Sequence, residues 1–145
     1  MQTIGFNITK IHAERTENPN RASINNNIEF TNIEKEKIDI LKDLEAIKIA
    51  FKYSLTYTNP EKKEAQNPEE KLAEVFFEGF LILSLDKEKA KEFHKAWKKK
   101  QIPKTEVIPL YNTILKRCTI KAATLQEELG LPSHLKIPQL KLESQ

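Results

Sequence analysis

From Leu72 to Leu85 the chain alternates with a period of two, and this run constrains the fold more than any other feature. Its odd positions, Ala73, Val75, Phe77, Gly79, Leu81, Leu83 and Leu85, are all apolar or glycine. Side chains of a strand point alternately to its two sides, so this face needs cover. The even positions mix Leu72, Phe76, Phe80 and Ile82 with Glu74, Glu78 and Ser84. A sheet with one solvated face is expected to be polar there. Phe76, Phe80 and Ile82 therefore predict that the second face meets another subunit or an apolar segment of a partner. A second run has the same period. Ile47, Ile49, Phe51, Tyr53, Leu55 and Tyr57 line one face, and Ala46, Lys48, Ala50, Lys52, Ser54 and Thr56 the other. Asn59-Pro60 ends it. Residues 61–70 carry Pro68 and much charge but no large apolar side chain, which predicts an exposed hairpin loop and antiparallel pairing of the two runs. Gly79, inside a strand, predicts a bulge or a close backbone approach.

The flanking segments extend this plan. Ile4, Phe6 and Ile8 alternate, then Ile11 and Ala13 switch parity, as in a strand with a bulge. From Ile24 to Ile38 two readings stand: a strand that crosses over at mid-length, or a charged loop built on Glu34-Lys35-Glu36-Lys37. Beyond Leu85, Asp86 suits a helix N-cap, and Ala90, Phe93, Ala96 and Trp97 recur at helical spacing. Ile102-Pro103 interrupts, and Thr105 is placed to cap a second helix with Pro109 near its first turn. Ile108, Tyr111, Ile114, Leu115, Cys118, Ala122 and Leu125 form its apolar stripe, and Gly130 with Pro132 ends it. Residues 131–145 are expected to be an extended tail. The expectation is one α+β domain over residues 1–145, strands first and helices last.

Composition narrows the function classes. Lys and Arg number 24 against 21 Asp and Glu, so the net charge of +3 is weak support for a nucleic-acid partner. One cysteine rules out an internal disulfide and a thiolate zinc cage. No signal peptide and no membrane-spanning run is expected, and the chain reads as soluble and cytoplasmic. Only three glycines occur, without a phosphate-cradling motif, and His12, His94 and His134 are far apart in sequence. Carboxylates interleave with lysines as on solvated faces. No enzyme, cofactor or metal is expected. Cys118 sits on the apolar stripe, as an inert buried thiol would. Trp97 with Lys98, Lys99 and Lys100 admits two readings, a base-stacking phosphate site or a packed indole beside lysines that complement a helix C-terminus.

The chain resembles the SecB export chaperones and their SecB-like relatives. Residues Gly5-Phe6-Asn7-Ile8-Thr9-Lys10-Ile11 are similar to the family's first strand. Glu45-Ala46-Ile47-Lys48-Ile49-Ala50-Phe51-Lys52-Tyr53 is similar to its strongly alternating strand. Ala73-Glu74-Val75-Phe76-Phe77-Glu78-Gly79-Phe80-Leu81 is similar to its strand with a central glycine. Ile108-Pro109-Leu110-Tyr111, then Leu131-Pro132 and Leu135-Lys136-Ile137-Pro138, is similar to its Pro-led helix and proline-spaced tail.

The resemblance implies a four-stranded antiparallel sheet with the C-terminal helices packed on it. It also implies a homotetramer, a dimer of dimers. It implies an ATP-independent holdase that binds unfolded or precursor polypeptides in apolar grooves for export and translocation. By position, Ile28–Leu41 is the crossover region. Ile33, Ile38, Ile40, Leu41, Leu131, Leu135 and Ile137 become groove candidates beside Phe76 and Phe80. Tyr111, Ile114, Leu115 and Cys118 are candidates for the subunit interface. The family's exporting members are acidic and dock on the SecA translocation motor through acidic surface. With a net charge of +3, this chain leaves that partner open. A SecB-like chaperone dedicated to one client, such as an antitoxin, stands beside export.

Overall fold

The two period-two runs lie side by side at the centre of a four-stranded antiparallel sheet. The strands are β1 (Gln2–Arg15), β2 (Ser23–Glu36), β3 (Leu44–Thr58) and β4 (Ala73–Asp86), in the spatial order β1-β4-β3-β2. The computed structural model describes residues 1–16, 22–37, 43–59 and 71–134. The expected 61–70 loop and most of the expected tail lie outside them. β3 and β4 pair without a break from Leu44↔Asp86 to Tyr57↔Ala73. Residues opposite one another share a face, so the two apolar rows meet: Ile47 beside Leu83, Ile49 beside Leu81, Tyr53 beside Phe77. All six are fully buried.

Both edge strands shift register, β1 between Thr3 and Gly5 and between Ile8 and Lys10 and β2 between Phe30 and Asn32, and the last shift in each repairs a parity break in the sequence. β1 slips against β4 between Ile8 and Lys10. Phe6 and Ile8 before the slip, and Ala13 after it, therefore reach the same covered face. Gly79 lies opposite Ile8 at this point, and a Cβ there would run into the carbonyl oxygen of Asn7. The close approach predicted at this glycine is present. β2 slips between Phe30 and Asn32, which brings Ile33 into line with Ile24, Ile28 and Phe30. Of the two readings of this segment the strand holds, because β3 supplies both its backbone partners and its counter-charges. Lys48 lies 3.8 Å from Glu34, and Lys35 3.3 Å from Glu45.

Two helices cover the odd-numbered face of β3 and β4. Asp86 caps α1 (Lys87–Trp97), its carboxylate accepting from the Lys89 N–H at 2.9 Å. α2 (Lys104–Glu128) starts earlier than the sequence suggested. Thr105 lies inside it, and Pro103 stands at the boundary, its carbonyl accepting from the Glu106 N–H at 2.9 Å. Proline's fixed φ and missing donor suit that position. At the far end Gly130 takes a left-handed conformation, φ 65°. Its N–H donates to Glu127 O at 3.1 Å, and Leu131 N–H to Gln126 O at 2.8 Å, closing the paired bonds of a Schellman end. Arg15 adds a third cover, donating to Leu129 O at 2.8 Å.

The sheet-facing row of α2 is Leu110, Ile114, Cys118, Ala122 and Gln126, spaced four apart. This corrects the expected stripe. Ile108 is 61% exposed, and Tyr111, Leu115 and Leu125 lie half-buried on the flanks. Ile114 and Cys118, read from sequence as subunit contacts, are completely buried in the chain's own core. Neither has surface to offer a second subunit. Burial pushes the Cys118 thiol up to about 11, as an inert thiol requires. Among the described residues no helix is long and apolar enough to cross a membrane.

Candidate functional site

An accessible surface with several large apolar side chains runs where edge strand β2 meets the flank of α2. Ile28 and Phe30 point to the helix side of β2. On α2, Ile108, Tyr111 and Leu115 follow one another three or four residues apart, which sets them along one flank. Trp97, at the end of α1, and Ile102, in the connection, close the other end. Phe30 and Tyr111 stack with ring centres 5.3 Å apart and planes 25° apart. This pair separates two depressions that share Ile28 and Tyr111, one of about 610 Å³ beside Trp97, Ile102 and Val107, the other of about 470 Å³ beside Ile108 and Leu115. Together they form one elongated groove.

Polar side chains flank the apolar ones along the groove. Glu29, Thr31 and Lys100 border the first depression, and Asn26, Asn27 and Asn112 the second. Lys100 is held in a left-handed backbone conformation, φ 57°, and its ammonium lies 4.9 Å from the Trp97 ring centre. Among the described residues β2 pairs only with β3, so the groove is bordered by the outer edge of a strand. The arrangement suits an extended chain that presents apolar side chains. Among the described residues the groove lining holds one carboxylate, Glu29, and no histidine or cysteine.

The sequence-derived candidates divide between opposite faces of the sheet. Phe76 and Phe80 lie half-exposed on the face away from the helices. Lysines roof them: Lys52 at 4.4 Å and Lys10 at 5.5 Å from the Phe76 ring centre, Lys48 at 4.2 Å from that of Phe80. Ile33 and Leu131 lie on the helix side and are nearly fully buried, at 6% and 7% exposure. They support the core and do not line an open surface. Ile38, Ile40, Leu41, Leu135 and Ile137 lie outside the described residues. Tyr111 and Leu115, read as interface, line the groove.

Sequence reasoning missed Ile28, Phe30 and Trp97 as groove residues. The signal was the large apolar side chains of an uncertain strand near a helix-ending Trp, but only the tertiary fold sets them side by side. It also missed Gln126, whose buried amide donates to the Tyr57 hydroxyl. The Tyr57 hydroxyl donates to Pro132 O at 2.7 Å, and His134 Nδ1 lies 3.0 Å from Gln126 Oε1. This network ties the start of the tail to the core. Burial holds the His134 imidazole below its ordinary proton affinity and raises those of the Tyr53 and Tyr57 hydroxyls.

No protein-family model matches the chain, and no curated protein matches it. Among solved structures, the fold is similar to the Mycobacterium tuberculosis Rv1957 SecB-like chaperone in complex with a ChAD peptide from the Rv1956 HigA1 antitoxin. The TM-score is 0.50 at 15% identity, over 99% of this chain and 92% of that one. At this identity the likeness is one of fold: a four-stranded antiparallel sheet with two helices, the α+β class expected from the sequence.

Proposed function

We propose that this chain is a SecB-like holdase that captures unfolded polypeptide segments in the β2–α2 groove without nucleotide. The groove itself carries the reading. It is lined by the aromatic rings of Phe30, Tyr111 and Trp97 with Ile28, Ile102 and Leu115, is open to solvent, and carries polar side chains between them, which suits an extended client that buries apolar side chains and offers its backbone to polar groups. The fold likeness to a SecB-like chaperone supports it. The peptide bound to that neighbour comes from an antitoxin, which favours a dedicated client over general export through SecA.

Aggregation of a chemically unfolded protein, followed by light scattering with and without ATP, tests the proposal. Suppression at stoichiometric chaperone, unchanged by ATP, is the expected result. Absence of suppression defeats it. The same reading includes a homotetramer. Ile4 and Ile120 are exposed by 46% and 69%, and offer apolar surface for self-association away from the groove lining. Sedimentation equilibrium at micromolar concentration should report a tetramer, and a strict monomer would remove that part.

The nucleic-acid reading of Trp97 and Lys98–Lys100 loses support from the placement of the indole. Trp97 packs against the core and carries Lys100 over its ring. A fluorescent oligonucleotide and an unfolded peptide, each titrated at two salt concentrations, separate the classes. Phosphate contacts weaken steeply with salt, whereas apolar capture changes little.

A further inference from the structure

Towards the Arg15 end of the β1–β4 pairing, His12, Glu14 and Glu74 meet on the sheet face away from the helices. Glu14 and Glu74 are direct cross-strand neighbours. His12 lies two residues from Glu14 on the same strand, which gives it the same face. One donor atom from each residue lies within 4.8 Å of the other two. His12 Nε2 is 3.5 Å from Glu14 Oε2. Like charges directly opposite one another weaken a sheet. Here Lys71 offsets one carboxylate, with its ammonium 3.1 Å from Glu74, while Glu14 faces the imidazole.

Two of the three donors are oriented by independent contacts. The His12 ring stacks on Phe76, with centres 4.8 Å apart and planes 20° apart, which sets the plane of the imidazole. The Glu74 side chain is only 16% exposed and is tied by Lys71. Such support is what lets side chains converge on one ion without a large ordering cost. Bonds of about 2.0–2.2 Å to a tetrahedral ion hold its donors about 3.5 Å apart, so modest rotamer adjustment closes the set. One imidazole nitrogen with two carboxylate oxygens suits a borderline divalent ion better than Ca²⁺ or Mg²⁺, which take oxygen alone.

We propose that His12, Glu14 and Glu74 form a divalent transition-metal site, with Zn²⁺ the ion of best fit. Its remaining position is open to water or to a donor from a molecule resting on this face. Titration of Zn²⁺ into the full chain, without a polyhistidine tag and near neutral pH, tests this by calorimetry. One ion per chain is expected, with tetrahedral visible absorption when Co²⁺ is used instead. His12→Gln and Glu74→Gln should each weaken binding by at least about 10-fold, the lower end of what even an outer-shell partner contributes. His94→Gln and His134→Gln should leave it unchanged. None of the three donors belongs to the buried core, so circular dichroism should show each variant folded. Failure of the unmodified chain to take up Zn²⁺, or equal affinity in the His12→Gln, Glu14→Gln, Glu74→Gln triple variant, would overturn the proposal.

Discussion

The two faces of the β3–β4 pair are built from the same backbone in the same register, yet they obey different rules. On the odd face, Phe77, Leu81 and Leu83 reach 0% exposure beneath the helices. On the even face, Phe76 and Phe80 remain half-exposed and take lysines from neighbouring strands as partial cover. A lysine stem shields apolar surface while its ammonium stays wet and interacts with the ring. An aromatic on a strand's second face is thus no sign of a protein partner by itself. The groove proposed for the client is at the β2 edge of the other face, beside α2.

Charge substitution gives the largest contrast between the faces. Leu83→Asp should unfold the chain, because a lost core side chain and an unpaired buried charge together cost about 5 kcal/mol or more, comparable to the whole stability of many domains. Phe80→Asp should retain the wild-type circular dichroism spectrum and melt cooperatively. Unfolding of both would erase the distinction. Next in size is Gly79→Ala, at the point where β1 crowds β4. Urea denaturation should show a loss of about 1–3 kcal/mol, because the new methyl displaces the Asn7 carbonyl.

Client binding sharpens the same comparison. Tyr111→Ala should cost a labelled unfolded peptide about 2 kcal/mol of affinity in fluorescence anisotropy, as a central aromatic contact does. Phe76→Ala and Phe80→Ala should leave the affinity within about twofold, the scale of a peripheral contact. The reverse pattern would move the client to the open face. The smallest effect concerns the tail's anchor on the helix side. The folded chain holds the His134 imidazole below the ordinary value of 6.5, so the unfolded chain binds a proton first as pH falls. The stability from burying neutral imidazole is complete above that value and declines below it. His134→Gln should flatten this slope when melting temperatures are followed from pH 8 to about pH 5, the range in which an ordinary histidine titrates.

Much of the plan was legible because strands and helices write their burial into fixed periods. The odd row of Leu72–Leu85, the Ile47–Tyr57 partner, the parity break of β1, the Asp86 cap and the Gly130 end all follow from local rules. Thr105 misled because a hydroxyl is a strong cap signal, whereas Pro103 was better placed to open the helix. The stripe of α2 misled for a different reason. A helix between two strand rows has apolar residues over a wide arc, and hydrophobicity does not tell which arc meets the sheet. Gln126 shows the same limit from the other side, since an amide in an apolar row reads as exposed until Tyr57 and His134 are seen beside it.

The sequence by itself determined β1, β3, β4 and the two helices, the pairing of β3 with β4, and which face of the central strands had to be covered, while it left β2 open. Period, turn residues and capping chemistry act within a few residues of the chain. Only the tertiary structure decided that Ile28 and Phe30 stand against Tyr111 and Trp97, and that Ile33 is core. It alone placed three donors, from His12, Glu14 and Glu74, at one end of the sheet. Glu74 is dozens of residues from His12 and Glu14, as Tyr111 and Trp97 are from Ile28 and Phe30, and cross-strand register, bulges and the seat of α2 bring them together. A bulge leaves a parity break in the sequence, but the register between strands and the seat of α2 leave no local mark in composition or periodicity.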